Sequence, residues 1–181
     1  QGAPLTPVFH KLLKNKYKLK LPLIILNIGG IANVTSVDLE GHISSKDVGP
    51  GNCLIDQWIR LNSKKRYDQD GNIAKSGKIN KEALNKALKS FKDKNDQKSY
   101  DVKDFDLSFV KELSLKDGAA TLTEYTSEIL YKYLKGPYKN IIISGGGRKN
   151  KFLLKKIEKK INYQFKLIDD FKINGDFIES Q

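Results

Sequence analysis

Asp47 opens the run Asp47-Val48-Gly49-Pro50-Gly51-Asn52, which places a carboxylate at the end of a strand-like segment and follows it with a turn that glycine and proline make easily. Apolar residues then recur at helical spacing (Cys53, Leu54, Ile55, Trp58, Ile59), so Asn52 is expected to be a helix N-cap. A carboxylate beside the positive end of that helix is favoured in its ionised form, and an ionised carboxylate can accept a proton from a hydroxyl or a water. Taken alone, the motif better fits a plain strand-to-helix turn whose aspartate caps backbone amides. Two glycine groups keep it company. Asn27-Ile28-Gly29-Gly30-Ile31-Ala32-Asn33 puts Gly29 and Gly30 at a strand-to-strand turn, where missing Cβ atoms let backbone amides approach phosphate oxygens. Gly145-Gly146-Gly147 follows an apolar run and precedes Asn150, a second helix cap, the setting in which a nucleotide can lie flat against the backbone.

Other chemistries lack their residues. Ser76-Gly77-Lys78 hints at a Walker loop, but Asn72 and Ile79 stand where the first glycine and the magnesium-binding hydroxyl belong. His10 and His42 stand alone and Cys53 is the single cysteine, so neither a zinc site nor a disulfide is expected, and no G-x-S-x-G elbow is present.

The elements that must position these groups follow from periodicity. A helix is expected over 5–14, then a basic connector over 14–20. Three antiparallel strands follow (19–28, 31–39, 43–47), turning at Gly29-Gly30 and Glu40-Gly41. A helix over 53–64 leads into a polar stretch, 66–116, expected to be an inserted or peripheral, mostly helical region with helices near 81–90 and 107–113. A long helix over 119–134, a strand over 138–144 buried on both faces, a helix beyond Asn150, a strand over 164–168 and a final helix opening near 176 complete the order βββαβαβ(α). This α/β order resembles the half-module of the sugar-kinase, actin and heat-shock ATPase superfamily, a topology shared with ribonuclease-H-like nucleases, so it bears on fold more than on function.

Composition bounds the class. No apolar run approaches the roughly 18 to 20 residues that span a bilayer, so no membrane association is expected. No secretory leader is visible, and a cytoplasmic protein is the economical reading. The net charge of +12 raises nucleic acid as a partner. Only Arg60, Arg66 and Arg148 are arginines and the lysines are dispersed, which argues against it. The chain begins at Gln1 and has no methionine, which suggests a fragment of a longer protein.

Taken together, Asn27 to Asn33, Asp47 to Asn52, Tyr67-Asp68-Gln69-Asp70-Gly71, Gly145 to Asn150 and Gly175-Asp176-Phe177-Ile178-Glu179 closely resemble, in that order, the anhydro-N-acetylmuramic acid kinase family. The resemblance implies a kinase of cell-wall recycling that uses ATP and Mg2+ to open the 1,6-anhydro ring of its small anhydrosugar with water while phosphorylating O6. It makes Asp47 the catalytic base. Asn27, Gly29, Gly30, Gly49, Gly51, Asn52, Gly145, Gly146, Gly147 and Asn150 become cofactor-binding, and Glu179 an acidic site candidate. Magnesium ligands stay unassigned, a homodimer is implied, and residues 1–181 would be a single nucleotide-binding domain, the C-terminal part of a longer two-domain kinase. Lys46 and Val48 depart from the aromatic residue and threonine the family usually has there. Two alternatives stay open: an inert nucleotide-binding remnant and, as the lesser one, a basic nucleic-acid-binding domain.

Overall fold

The computed structural model describes residues 17, 19–92 and 99–172. The helix expected over 5–14, most of the connector after it, and the closing helix with Glu179 lie outside the described residues.

Five strands form one sheet: β1 (Leu23–Ile28), β2 (Ile31–Val37), β3 (Ile43–Pro50), β4 (Asn140–Ser144) and β5 (Lys166–Leu167), in the order β3-β2-β1-β4-β5. The β1–β2 and β2–β3 pairs are antiparallel, whereas β1–β4 and β4–β5 are parallel. β1 is apolar at nearly every position because it is central and covered on both faces. Ile24, Leu26 and Ile28 pack with Ile141 and Ile143 beneath the helices, while Leu23 and Ile25 pack with Ile142 against Ile168 and Phe171. The double burial expected for Ile141-Ile142-Ile143 is present.

The helices are α1 (Cys53–Asn62), α2 (Asn72–Lys75), α3 (Lys81–Ser90), α4 (Leu115–Leu134) and α5 (Lys151–Ile161). α4 starts four residues ahead of the expected Ala119, because the Ser114 hydroxyl accepts the Asp117 amide at 3.1 Å and caps an earlier turn. Its small residues admit a neighbour: a Cβ on Gly118 would lie 2.4 Å from the Trp58 ring, and the indole N–H of Trp58 donates to Leu115 O at 2.9 Å. α1 and α4 are thereby held in close contact. α5 begins as expected, with the Asn150 side chain accepting from Leu153 N at 3.0 Å. Its Lys156 and Lys160 each reach Glu124 of α4 at 2.6 Å.

The stretch 66–116 packs on α4: Ala74, Leu84 and Val110 share a core with Trp58, Leu122, Tyr125 and Ile129. Of its two expected helices, the one near 81–90 is α3. The one near 107–113 is instead a single 3-10 turn, Ser108–Val110, because Asp106 caps Ser108 N at 3.0 Å and Ser114 already starts α4. α2 was not expected; the two oxygens of buried Asp68 cap its amides at Ile73 (2.8 Å) and Ala74 (2.9 Å). No helix among the described residues is long and apolar enough to cross a membrane.

Candidate active site

The carboxyl ends of β1, β3 and β4 and the start of β2 meet at one end of the sheet. Here the register aligns Ser144 with Asn27, Asn27 with Asn33, and Asn33 with Asp47. Directly opposed residues project to the same face. The four side chains therefore form a polar row across β4, β1, β2 and β3, on the face whose other half is closed by Ile168 and Phe171. The outer ends of the row are occupied: Ser144 Oγ donates to Asn27 Oδ1 at 3.2 Å, and Asp47 Oδ2 accepts the Tyr100 amide at 3.0 Å.

Asp47 does not end its strand, as expected from sequence; β3 continues to Pro50, and the start of α1 does not supply its hydrogen bond. A bulge between Ala32 and Asn33 explains the local geometry, since Ala32 pairs with Gly49 and Asn33 with Asp47, leaving Val48 as the extra residue. Val48 turns into the core beneath the helices. Lys46 also turns to that side, its ammonium 5.3 Å from the centre of the Tyr133 ring. Gly49, at φ +148°, fits under Ile129 and Phe91, where a Cβ would lie 2.8 Å from Ile129 Cγ2. Its place in the structure is a packing position.

Asn52 precedes α1 as expected but its side chain makes no capping bond. The glycine hairpin does the capping instead: Gly29 O accepts from Asn52 N (2.8 Å), and Gly30 O from Gly51 N (2.9 Å) and Cys53 N (3.1 Å). That approach requires Gly51, where a Cβ would be 2.2 Å from Gly29 O. One turn along α1, Asp56 faces partial burial that pushes its carboxyl up to about 6; Arg60 opposes the shift and Asp68 adds to it.

The second glycine group folds onto the first. Gly145 has φ +79°, and a Cβ there would be 2.5 Å from Asn27 Oδ1; one on Gly147 would be 2.3 Å from Ile28 Cγ2 and 3.0 Å from Asn52 Nδ2. Gly146, between them, is exposed with nothing within 4 Å of its Cβ position. Gly71 lies against Asn150, 2.5 Å from its Oδ1 by the same measure, so the Tyr67–Gly71 motif also reaches this loop. Sequence reasoning missed the residue that braces it. Buried Arg148 donates from Nε and Nη2 to Asp169 (2.6 and 3.2 Å) and from Nη1 to Gly145 O (3.0 Å). The signal was an arginine placed inside a glycine loop of a lysine-rich chain, since only a guanidinium offers that planar fork.

The structure thus brings Asn27, Gly29, Gly30, Gly51, Asn52, Gly145, Gly147 and Asn150 into one neighbourhood, with Asp47 two strands from Asn27, or about 10 Å at ordinary strand spacing. A group of side chains close enough to share a metal, Asp38, Glu40 and His42, is exposed in the β2–β3 turn, at the opposite end of the sheet. A cavity of about 600 Å³ is lined by Phe91, Phe105, Phe109, Tyr125 and Tyr100, the residue whose amide binds Asp47, among others.

Comparison with known proteins meets this geometry. The sequence profile of the anhydro-N-acetylmuramic acid kinase family matches residues 1–181. An anhydro-N-acetylmuramic acid kinase of Pelagibacter ubique is 46% identical across all of this chain and 52% of its own length. One from Zymomonas mobilis is 36% identical across all of the chain and 50% of its own length. The chain spans about half the length of the curated relatives it matches. Among solved structures, an activator of the 2-hydroxyisocaproyl-CoA dehydratase from Clostridium difficile, with bound ADPNP, superposes with TM-score 0.54 at 15% identity, covering 89% of this chain and 57% of that one. At that identity the likeness speaks for the fold alone. The profile matched over the whole chain, with the motifs among the described residues meeting at one end of the sheet, makes the chain a member of the anhydro-N-acetylmuramic acid kinase family.

Proposed function

We propose that these residues carry the base and the nucleotide side of an ATP- and Mg2+-dependent kinase that converts 1,6-anhydro-N-acetylmuramic acid to N-acetylmuramic acid 6-phosphate in peptidoglycan recycling, in the cytoplasm and as a homodimer. The observation that supports it best is the polar row, which sets a carboxylate and two glycine loops at one end of one sheet. When bound with magnesium, ATP supplies the phosphoryl group that O6 receives, ADP leaving with the electrons of the broken P–O bond. The open backbone at Gly146 and the packed glycines around it fit a flat nucleotide. Among the described residues the polar row presents one carboxylate, Asp47, so magnesium ligands from these residues alone are few.

Asp47 takes a proton from water as the water oxygen bonds to C1. The C1–O6 bond breaks, its electron pair passes to O6, and the hydroxyl oxygen at C1 derives from solvent. The Tyr100 amide keeps Asp47 Oδ2 fixed, leaving Oδ1 to face the water. Preset orientation of this kind lowers the barrier without reorganisation during the reaction.

The test is an assay of the full-length protein with 1,6-anhydro-N-acetylmuramic acid and labelled ATP, run beside Asp47→Asn. The wild type should yield labelled, ring-opened sugar phosphate. Loss of the general base should lower kcat roughly 10²- to 10⁴-fold and leave nucleotide affinity alone. A folded wild type that leaves the sugar untouched would overturn the proposal.

A further inference from the structure

Resting on that reading, we propose that Asn33 is a further catalytic residue, whose side-chain amide donates a hydrogen bond to O6 as the C1–O6 bond breaks. The register gives Asn33 its place: it is directly opposite Asp47 on one side and directly opposite Asn27 on the other. Its neighbours in the row are already engaged, Asn27 by Ser144 and Asp47 by the Tyr100 amide. The Asn33 side chain makes no hydrogen bond among the described residues, and it is half-buried rather than sealed in the core. Asn27 is bonded through its Oδ1 alone, but it is buried; Asn33 is the half-buried amide of the row whose side chain has no bond at either atom among the described residues, and it stands between the carboxylate and the glycine loops.

The reaction needs a donor at that point. Water enters C1 from the side opposite the departing O6, so at the moment of reaction the two oxygens are separated by a contact of about 3 Å plus a C–O bond of about 1.4 Å. That sum, about 4.5 Å, is close to the spacing of about 4.8 Å between neighbouring strands. If Asp47 holds the water from β3, the leaving oxygen falls opposite β2, where Asn33 is. The bookkeeping of charge agrees. The C1–O6 electron pair arrives on O6 before the new O–P bond is complete, and a preset N–H aimed at that oxygen stabilises it where negative charge grows. The phosphoryl group comes from the side of the glycine loops, beyond Asn27, and so meets O6 without crossing Asp47.

The full-length protein carrying Asn33→Ala, Asn33→Asp and Asn33→Ser, with Asp47→Asn as reference, tests this. Asn33→Ala should lower kcat roughly 100-fold with KM for ATP unchanged. Asn33→Ser, which keeps a donor, should recover part of that loss. Asn33→Asp keeps the shape, removes the donor and sets a second carboxylate beside Asp47, so it should lower kcat as severely and move the acidic limb of the pH profile upward by about one unit. The added carboxylate moves that limb whatever Asn33 does, so the deciding readout is kcat above it: a role confined to packing would change melting temperature and leave Asn33→Asp, which keeps the shape, at wild-type kcat there. If Asp47→Asn is inactive while Asn33→Ala and Asn33→Asp turn over within twofold of wild type, the Asn33 role is wrong and the base assignment stands. If Asp47→Asn is fully active, the base assignment fails and this role fails with it. Should Asn33→Ala not fold, the isosteric Asn33→Asp decides by the same criteria.

Discussion

Gly146 and Gly147 are chain neighbours with opposite surroundings, and the contrast separates a binding role from a packing role. A methyl on Gly147 would enter the Ile28 side chain, and overpacking of that kind costs about 1–3 kcal/mol. Gly147→Ala should therefore melt several degrees lower. Gly146→Ala meets open space and should melt with the wild type, but its methyl would stand where a nucleotide lies against the loop. Calorimetry with ADP should show affinity reduced about tenfold; wild-type affinity would remove this loop from the nucleotide site. Residue identities at the site were readable where the backbone demands a residue type, as at Gly51 and Gly145. Their reasons were less readable. Gly49 and Gly51 are held by contacts with Ile129 and with Gly29 O, partners that lie far away in the sequence. Asn33 stood in a quoted motif, yet only the strand register sets it opposite Asp47.

Among elements, the tie between α4 and α5 is the clearest test of packing chemistry. Burial pushes the Glu124 carboxyl up, but the hydrogen bonds and charges of Lys156 and Lys160 outweigh it and hold the carboxyl below its ordinary value of 4.5. The folded value lies below the unfolded one, so the stabilisation is complete above the unfolded range and is lost as pH falls through the folded value. Glu124→Gln leaves two crowded ammonium groups without their shared carboxylate and should cost about 2 kcal/mol at pH 7. In urea titrations the gap to wild type should narrow as pH falls below the ordinary carboxyl value of 4.5; a gap independent of pH would show that the pair contributes shape and no charge. The order of strands and helices was legible because hydrophobic period changes cleanly at Gly29-Gly30, at Asn52 and at Asn150. Element ends were less so. Ser114 and Asp106 start turns through local side-chain bonds that a period does not register, which moved the start of α4 and replaced a helix by a 3-10 turn.

At the scale of the whole molecule, the excess positive charge is spread over a sheet-and-helix body whose polar row carries an acid and amides. Non-specific attraction to a polyanion should be weak and governed by counterion release, falling roughly 10³-fold or more between 50 and 200 mM salt for six phosphate contacts. Gel-shift titration against random DNA checks this; affinity that survives 200 mM salt would point to a built nucleic-acid surface and away from the kinase reading. The bonds from the Gly29 and Gly30 carbonyls to the first amides of α1 have a mechanical consequence. Hairpin and helix are welded into one lever, with Trp58 as its fulcrum against Gly118. Any tilt of α1 must swing the hairpin tip and, through Asn52, press on Gly147. A force applied at the remote tip of that helix would be felt at both glycine loops together.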